Sequence, residues 1–168
     1  MNSIGFYGNL NNLTNKMAGL LLSKQEFLKL LTYTDDDPLT QPDIADSLSV
    51  LNTKFFLQPK PSSFTLEEGI VVEMFLGGDN PHNVNGGMLT EYVITFNILC
   101  HLSTWNIKGG IRPYAIMSII DSTFNNKTIK EISIGAIRPL GSKYMKFEDG
   151  WQGYKLAYTL TWNGNSVC

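Results

Sequence analysis

The residues from Met88 to Leu102 carry the longest strand pattern in the chain. Because successive side chains of a strand point to opposite faces, alternating apolar positions place one wide apolar face on a core. β-Branched and aromatic side chains fill this face, as a pleated and half-buried surface prefers. We therefore expect this segment to be the central strand, with a nearly continuous apolar face formed by Thr90, Tyr92, Ile94, Phe96, Ile98, Cys100 and Leu102.

The composition is that of one globular domain. The chain has 168 residues, of which 43% are apolar and 17% are charged, and this length suffices for a substantial core. A net charge of −2 argues against a dedicated nucleic-acid binder, whose domain is normally basic. The chain starts without a signal sequence and lacks the run of ~18 apolar residues that a membrane span needs. We expect a protein made in a cytoplasm, with Cys100 and Cys168 as free thiols.

The first twelve residues differ in character from the rest. Residues 1–12 are rich in Asn and Gly but include Ile4, Phe6 and Tyr7. Termini fray unless something holds them, so this arm either docks on a neighbour or is disordered. We expect a flexible N-terminal arm over residues 1–12 and a single domain over residues 13–168.

Two helical regions are predicted. The first runs from about Leu13 to Tyr33, and within it Ser23-Lys24-Gln25-Glu26 fits a capping box. Either one helix restarts at Ser23 or two short helices meet there. The second begins near Pro113, which suits the first helical position because its missing N–H costs nothing there. Its apolar stripe consists of Pro113, Ile116, Ile120 and Phe124.

The remaining apolar segments alternate as strands do. Residues 77–87 are rich in Gly, Asn and Pro and therefore predict a loop that joins two long antiparallel strands. Residues 140–153 predict a loop or a ragged hairpin. Besides the central strand, the predicted strands are Thr53–Gln58, Thr65–Leu76, residues 129–138 and Tyr154–Trp162. Together the elements predict an α+β fold, in which an antiparallel sheet with long hairpin strands packs against one or two helices.

The charge is unevenly spread along the chain. Residues 26–91 hold 11 acids and 3 bases, net −8, and residues 108–146 hold 7 bases and 2 acids, net +5. This asymmetry fits two interpretations: plainly solvated faces, or an acidic surface on one copy that meets a basic surface on the next. For the second interpretation, the candidate subunit-interface residues are Asp35, Asp36, Asp37, Asp79, His82, Lys143 and Lys146.

No catalytic, metal or cofactor motif stands out. Asp35-Asp36-Asp37 could bind a divalent cation, but no matching acid cluster occurs elsewhere and Asp before Pro ordinarily ends a helix. His82 and His101 lack a Cys or an acid at zinc-ligand spacing. The glycine pairs are not followed by the Lys-Ser/Thr pair of a phosphate loop. A nucleophile and base brought together in space stay open. The tryptophans fit core or interface packing better than ligand stacking; they are Trp105, Trp151 and Trp162.

Several segments resemble the tail-terminator and head–tail connector proteins of tailed bacteriophages. The segment from Ser23 to Tyr33, followed by Asp37-Pro38-Leu39, resembles their opening helix and "DPL" turn. Thr53 to Pro61 resembles the short strand that follows. The helix end Ile119–Asn125 and the last strand Trp151–Tyr158, with its "GY-x-L-x-Y" pattern, are similar to the family core. The likeness covers most of residues 20–162, and the first twenty residues and residues 140–150 have no counterpart.

The resemblance implies a structural protein of the virion neck, assembled in the host bacterial cytoplasm, and not an enzyme. Such a protein forms a ring, a hexamer or dodecamer, between portal and tail, and viral DNA passes through the lumen without sequence-specific contact. Its partners are portal, connector or tail proteins. Since a fold alone does not define a function, two other classes stay open: a small ligand-binding α+β module and a phage-encoded hydrolase.

Overall fold

A computed structural model of the chain describes residues 8–58, 69–84, 87–130, 133 and 135–163. Three short 3₁₀ turns, Pro38–Thr40, Ser47–Val50 and Leu102–Thr104, lie between the main elements. The helices are α1 (Gly8–Leu22), α2 (Gln25–Thr32) and α3 (Arg112–Phe124). The strands are β1 (Phe55–Phe56), β2 (Ile70–Val84), β3 (Gly87–His101), β4 (Asn106–Ile107), β5 (Gly110–Ile111), β6 (Arg138–Lys146) and β7 (Trp151–Asn163).

Five strands form the main sheet, in the order β1-β2-β3-β7-β6. Its long pairs, β2 with β3, β3 with β7 and β7 with β6, are antiparallel. The predicted α+β class with an antiparallel hairpin sheet is thus confirmed. β1 differs from the prediction, because it pairs with β2 in parallel and makes the sheet mixed. β4 and β5 form a separate two-stranded ribbon before α3.

The core lies between the helices and one face of the sheet. The even positions of β3 point into it as predicted, and Ile94, Phe96, Ile98 and Cys100 are fully buried. The predicted stripe of α3 packs on this face, with Ile116, Ile120 and Phe124 completely covered. α2 covers the β1 side of the sheet, where Phe27 meets Phe55 edge-on with ring centroids 5.5 Å apart. α3 covers the β7 side, where Phe124 contacts Tyr158. No helix covers β6 among the described residues, since every residue of β6 except Met145 is exposed.

The helical region at the start of the chain consists of two helices rather than one continuous helix. α1 begins at Gly8, so residues 8–12 belong to a helix and not to the predicted arm; residues 1–7 lie outside the described residues. The predicted capping box is wrong. Lys24 occupies the N-cap of α2 without a side-chain cap, and the Ser23 hydroxyl donates instead to the carbonyl of Leu20 at 2.9 Å. Ser23 therefore finishes α1 and does not start α2.

Replacing Ser23 with Ala should leave stability nearly unchanged. The hydroxyl makes one exposed hydrogen bond to a carbonyl of its own helix, and exposed substitutions of this kind usually stay within about 0.5 kcal/mol. Urea unfolding followed by circular dichroism checks this. A loss near ~1 kcal/mol, the usual cost of removing an N-cap, would show that the hydroxyl caps α2 after all.

The segment predicted as a loop over residues 77–87 is mostly strand. β2 continues to Val84 and pairs with β3 up to Val84↔Gly87, with a register shift between Gly77 and Asp79. Two residues separate the strands, and in sequence they are Asn-Gly, a pair typical of two-residue hairpins. Gly, Asn and Pro in this segment predict a loop, whereas the antiparallel pairing continues past them, with a bulge at the glycines. The part of the predicted strand over residues 65–68 lies outside the described residues.

The strand predicted over residues 129–138 lies later in the sequence. In residues 129–138 the described positions before Arg138 are not strand, and residues 131, 132 and 134 lie outside the described residues. β6 instead spans Arg138–Lys146, mostly within the segment predicted as a loop or a ragged hairpin, and it forms a hairpin with β7. Ile137 is nevertheless buried. Among the described positions before Arg138, Ile129 and Ile137 contact the core without forming a strand, while the strand that follows is an exposed edge that carries no apolar face.

Gly153 allows β7 to approach β3 closely. A Cβ at this position would lie 1.7 Å from the carbonyl oxygen of Ile98, far inside any contact distance. Tyr154 then follows on the helix-covered face. The glycine of the "GY-x-L-x-Y" pattern thus has a packing reason in this fold.

Candidate functional site

Among the described strands, β6 forms an edge of the main sheet and is exposed along nearly its whole length. β6 pairs with β7 on one side, and no described strand pairs with its other side. An unpaired edge presents a row of backbone N–H and C=O groups that can pair with another chain. Pro139 and the register shift between Pro139 and Gly141 interrupt the beginning of this edge. The regular part is therefore residues 142–146.

Three tyrosines line the helix-covered side of this edge. Tyr154 of β7 lies between Tyr114 of α3 and Tyr144 of β6, with ring centroids 5.2 Å and 5.5 Å away. The hydroxyls of Tyr114 and Tyr154 are 2.8 Å apart and share a hydrogen bond. This bond, with some burial, raises the pKa of Tyr154 to about 12. Tyr154 is therefore neutral at physiological pH, and its neighbours Tyr114 and Tyr144 are about half exposed.

An open groove of about 290 Å³ lies next to the tyrosines, between α3 and β7. Asp121 lies in its wall, but its carboxylate accepts hydrogen bonds from the Tyr158 hydroxyl at 3.0 Å and from the Asn125 amide at 3.1 Å. Burial raises the pKa of Tyr158, and the bond to Asp121 adds to the shift. Because the groove is open, it would leave a small ligand largely in water, unlike pockets that enclose their ligands. Its lining residues are Tyr114, Met117, Ser118, Asp121, Leu156 and Tyr158.

The two lysines predicted for the interface lie on β6, on opposite faces of the sheet. Lys143 is directly across from Lys155 of β7, on the face that the helices do not cover, and both are exposed. Like charges directly opposite each other in a sheet repel. Lys146 pairs with Gln152 and, three residues further along the strand, points to the helix-covered side. The two lysines were expected in a loop, and as strand residues they serve two different surfaces.

The predicted acidic residues do not form one cluster. Asp35, Asp36 and Asp37 follow α2, and Asp37 pairs within the chain with Lys108 at 3.1 Å. Asp79 and His82 lie in β2 opposite Tyr92 and Leu89, toward the far end of the hairpin. The backbone between the start of β2 and Asp79 spans about 30 Å at ~3.3 Å per residue. The side chains of Asp79 and His82 lie outside the described part of the structure, so their predicted interface roles stay predictions.

Other acids lie on the connection between α2 and β1. Asp43 is 72% exposed and pairs with Lys29 at 2.8 Å. Asp46 is exposed and caps the 3₁₀ turn before β1 by accepting from the Leu48 amide at 2.9 Å. These acids therefore belong to the β1 side of the sheet, across the molecule from β6. Five strands spaced ~4.8 Å apart make that separation about 19 Å at least.

Arg112 is a buried residue that the sequence interpretation missed. Its side chain is completely buried, and its guanidinium donates to the backbone carbonyls of Thr104 at 2.7 Å, Leu30 at 3.0 Å and Tyr33 at 2.7 Å, and also to Asp35. The last carbonyls of a helix have no partner within the helix, and a cation at this end interacts favourably with the helix dipole. Arg112 therefore caps the C-terminus of α2 and ties it to the start of α3. No local sequence signal marks this role, since three of the four partners lie about 80 positions earlier.

The remaining candidate groups lie in structural surroundings. No cluster of three or more potential metal ligands occurs among the described residues. Burial raises the pKa of Cys100 to about 12, so its thiol stays protonated at neutral pH and is a poor nucleophile. The His101 ring contacts the Trp151 ring, and its Nδ1 lies 2.7 Å from the Ser103 hydroxyl. Trp105 packs against the core, and the Trp162 side chain lies outside the described residues. None of the described helices is long and apolar enough to cross a membrane.

Fold and surface together define an α+β protein with a helix-covered sheet and an exposed basic edge strand. The chain belongs to the YomW family, whose model matches residues 24–160, from the residue before α2 to near the end of β7. The family name suggests a phage-derived protein, and it specifies no neck, terminator or connector role. No curated protein matches the chain.

Proposed function

We propose that this protein is a structural component of a phage virion neck, a tail terminator or connector that forms an oligomeric ring between portal and tail. The phage association of the family supports the setting. Under this proposal copies associate with one another and with portal, connector or tail proteins, DNA passes through the lumen, and the protein catalyses no reaction.

The observation that carries the proposal is the placement of unlike charges at opposite edges of the sheet. The connection before β1 carries exposed Asp43 and Asp46, and the other edge carries exposed Arg138, Lys143 and Lys146. Two different patches that face away from each other favour head-to-tail contacts, which close into a ring when the rotation between copies permits. A symmetric dimer would instead need one patch that is complementary to itself.

Charge reversal at Lys143 tests this interface. Lys143→Glu should leave the circular dichroism spectrum unchanged, because the side chain is exposed, and should reduce incorporation into rings. Rim charges mainly set encounter rate and register, so the loss should be greatest at low salt. The Debye length falls from roughly 10 Å at 0.1 M to about 3 Å at 1 M. Size-exclusion chromatography with light scattering at both salt concentrations measures the incorporation.

Two further variants complete the experiment. Lys127→Glu makes the same charge change at an exposed site after α3, next to the residue that precedes β6 but outside the regular edge 142–146, and should assemble like the unchanged protein. Lys146→Glu, on the other face of the same strand, shows which face of β6 meets the neighbour. Equal assembly of the Lys143 and Lys127 variants at both salt concentrations would contradict an electrostatic contact at Lys143.

A further inference from the structure

We propose that the outer edge of β6, with the tyrosine cluster beside it, binds an extended acidic segment of a second copy by strand addition. The second copy as occupant rests on the proposed function. Beyond ring formation, strand addition defines the receiving surface, the kind of contact and the charge of the segment that binds. Strand addition supplies main-chain hydrogen bonds for affinity, while side chains on the two faces supply selectivity.

The backbone of β6 is available for such pairing. No described strand adjoins its outer side, and residues 142–144 and Lys146 are exposed. Over residues 142–146 the register with β7 is continuous, from Ser142↔Leu156 to Lys146↔Gln152. A segment of about five residues could thus extend the sheet without meeting the bulge near Pro139.

The tyrosine cluster supplies apolar contact area next to that edge. Tyr114 and Tyr144 are 49% and 46% exposed. Aromatic rings with a hydroxyl suit a surface that is wet when free and covered in a complex. Large apolar side chains exposed together mark interaction sites more often than single ones do. A strand added to β6 would place its side chains on the helix-covered face against these rings.

The charges on β6 select an acidic partner and reject a second β6 edge. Lys143 already faces Lys155, a repulsive pair that a carboxylate from another chain would relieve. Pairing two β6 edges would instead add further lysines and Arg138 to the same row. Lysines on an edge strand commonly prevent such self-pairing. The contact is therefore between unlike surfaces, and the acid-rich residues 26–91, net −8, are the part of a second copy that complements it.

Site-specific photocross-linking tests the assignment. The cross-linker p-benzoylphenylalanine replaces Tyr144 in the full chain, and irradiation of the assembled protein is followed by mass spectrometry of the linked peptides. The expected result is a covalent dimer in which Tyr144 is joined to a peptide from residues 26–91 of another copy. The same replacement at Leu20, which is 37% exposed and lies in α1 rather than on the β6 edge, is the matched control and should yield little dimer.

The outcomes separate this inference from the proposed function. Links from Tyr144 to another copy's β6, or no links although rings form, would overturn the strand-addition site and leave the ring intact. Failure to form any oligomer, even with neck partners present, would overturn both. If the Tyr144 variant does not fold, Ser142, which is exposed and lies two residues earlier on the same face of β6, provides a second position with the same expected peptides.

Discussion

Replacing Arg112 with Ala should lower the free energy of unfolding by about 3–5 kcal/mol, because four carbonyls would lose their charged donor and hydrogen bonds to charged groups contribute about 1.5–3 kcal/mol each. The guanidinium donates to four backbone carbonyls at the junction of α2, the turn after β3 and α3. Each buried acceptor left without a donor costs about 1–3 kcal/mol, although water entering the space would satisfy some of them. Urea unfolding monitored by circular dichroism measures the loss.

Two comparison variants make the Arg112 result specific. Arg112→Lys keeps the charge, but an ammonium cannot reproduce the planar fork of donors, so it should recover only part of the lost stability. Arg138→Ala removes an exposed arginine of β6 and should change stability by less than about 0.5 kcal/mol. Equal stability of the Arg112 and Arg138 alanine variants would contradict the role of Arg112 as a cap of α2.

Replacing Phe96 with Ala should destabilise the protein by ~3–5 kcal/mol, the usual range for a buried Phe. Phe96 is completely buried at the centre of β3. Its ring stacks on Phe124 at 5.4 Å and meets Tyr158 edge-on at 6.2 Å, so the cavity would open between the sheet and α3. In a chain of this size 1 kcal/mol shifts the melting temperature by about 2–4 °C. Thermal unfolding should therefore occur roughly 10 °C lower.

A matched control for Phe96 lies on the other face of the same strand. Val93 is only partly buried, so Val93→Ala should cost clearly less. If the Phe96 and Val93 variants melted together, the even positions of β3 would not form the central core face.

The sequence predicted those elements whose apolar periodicity is long and whose partners cover one face. β3 and β7 alternate over many residues, and their even positions are buried from Thr90 to Cys100 and from Leu156 to Leu160. The stripe of α3 was correct for the same reason. These elements are the inner layers of the fold, where burial dictates side-chain type at every second or every third to fourth position.

The misassigned elements lie where burial does not dictate the pattern. β6 is exposed along nearly its whole length, so it has no alternation to detect, whereas the alternation of Ile132, Ile134 and Ala136 in the sequence before it favours the wrong segment. The end of β2 contains glycines and a proline that ordinarily break strands, yet pairing with β3 continues past them.

The candidate site was only partly predictable. The separation of charge along the chain pointed to Lys143 and Lys146, which lie on the exposed edge. Their opposite orientations depend on the assignment of residues 138–146 as strand, which the sequence did not provide. The tyrosine cluster joins α3, β6 and β7, and Arg112 binds carbonyls far away in the chain. Such contacts follow from the tertiary fold and leave no local motif.

Native mass spectrometry of the purified protein, at low salt and after addition of neck partners, tests whether copies of this chain form a ring. If the ring proposal is correct, the spectra show one closed oligomer of fixed copy number, a hexamer or dodecamer. Lys143→Glu depletes this oligomer, and Lys127→Glu does not. A protein that stays monomeric at every concentration, with and without those partners, would contradict it.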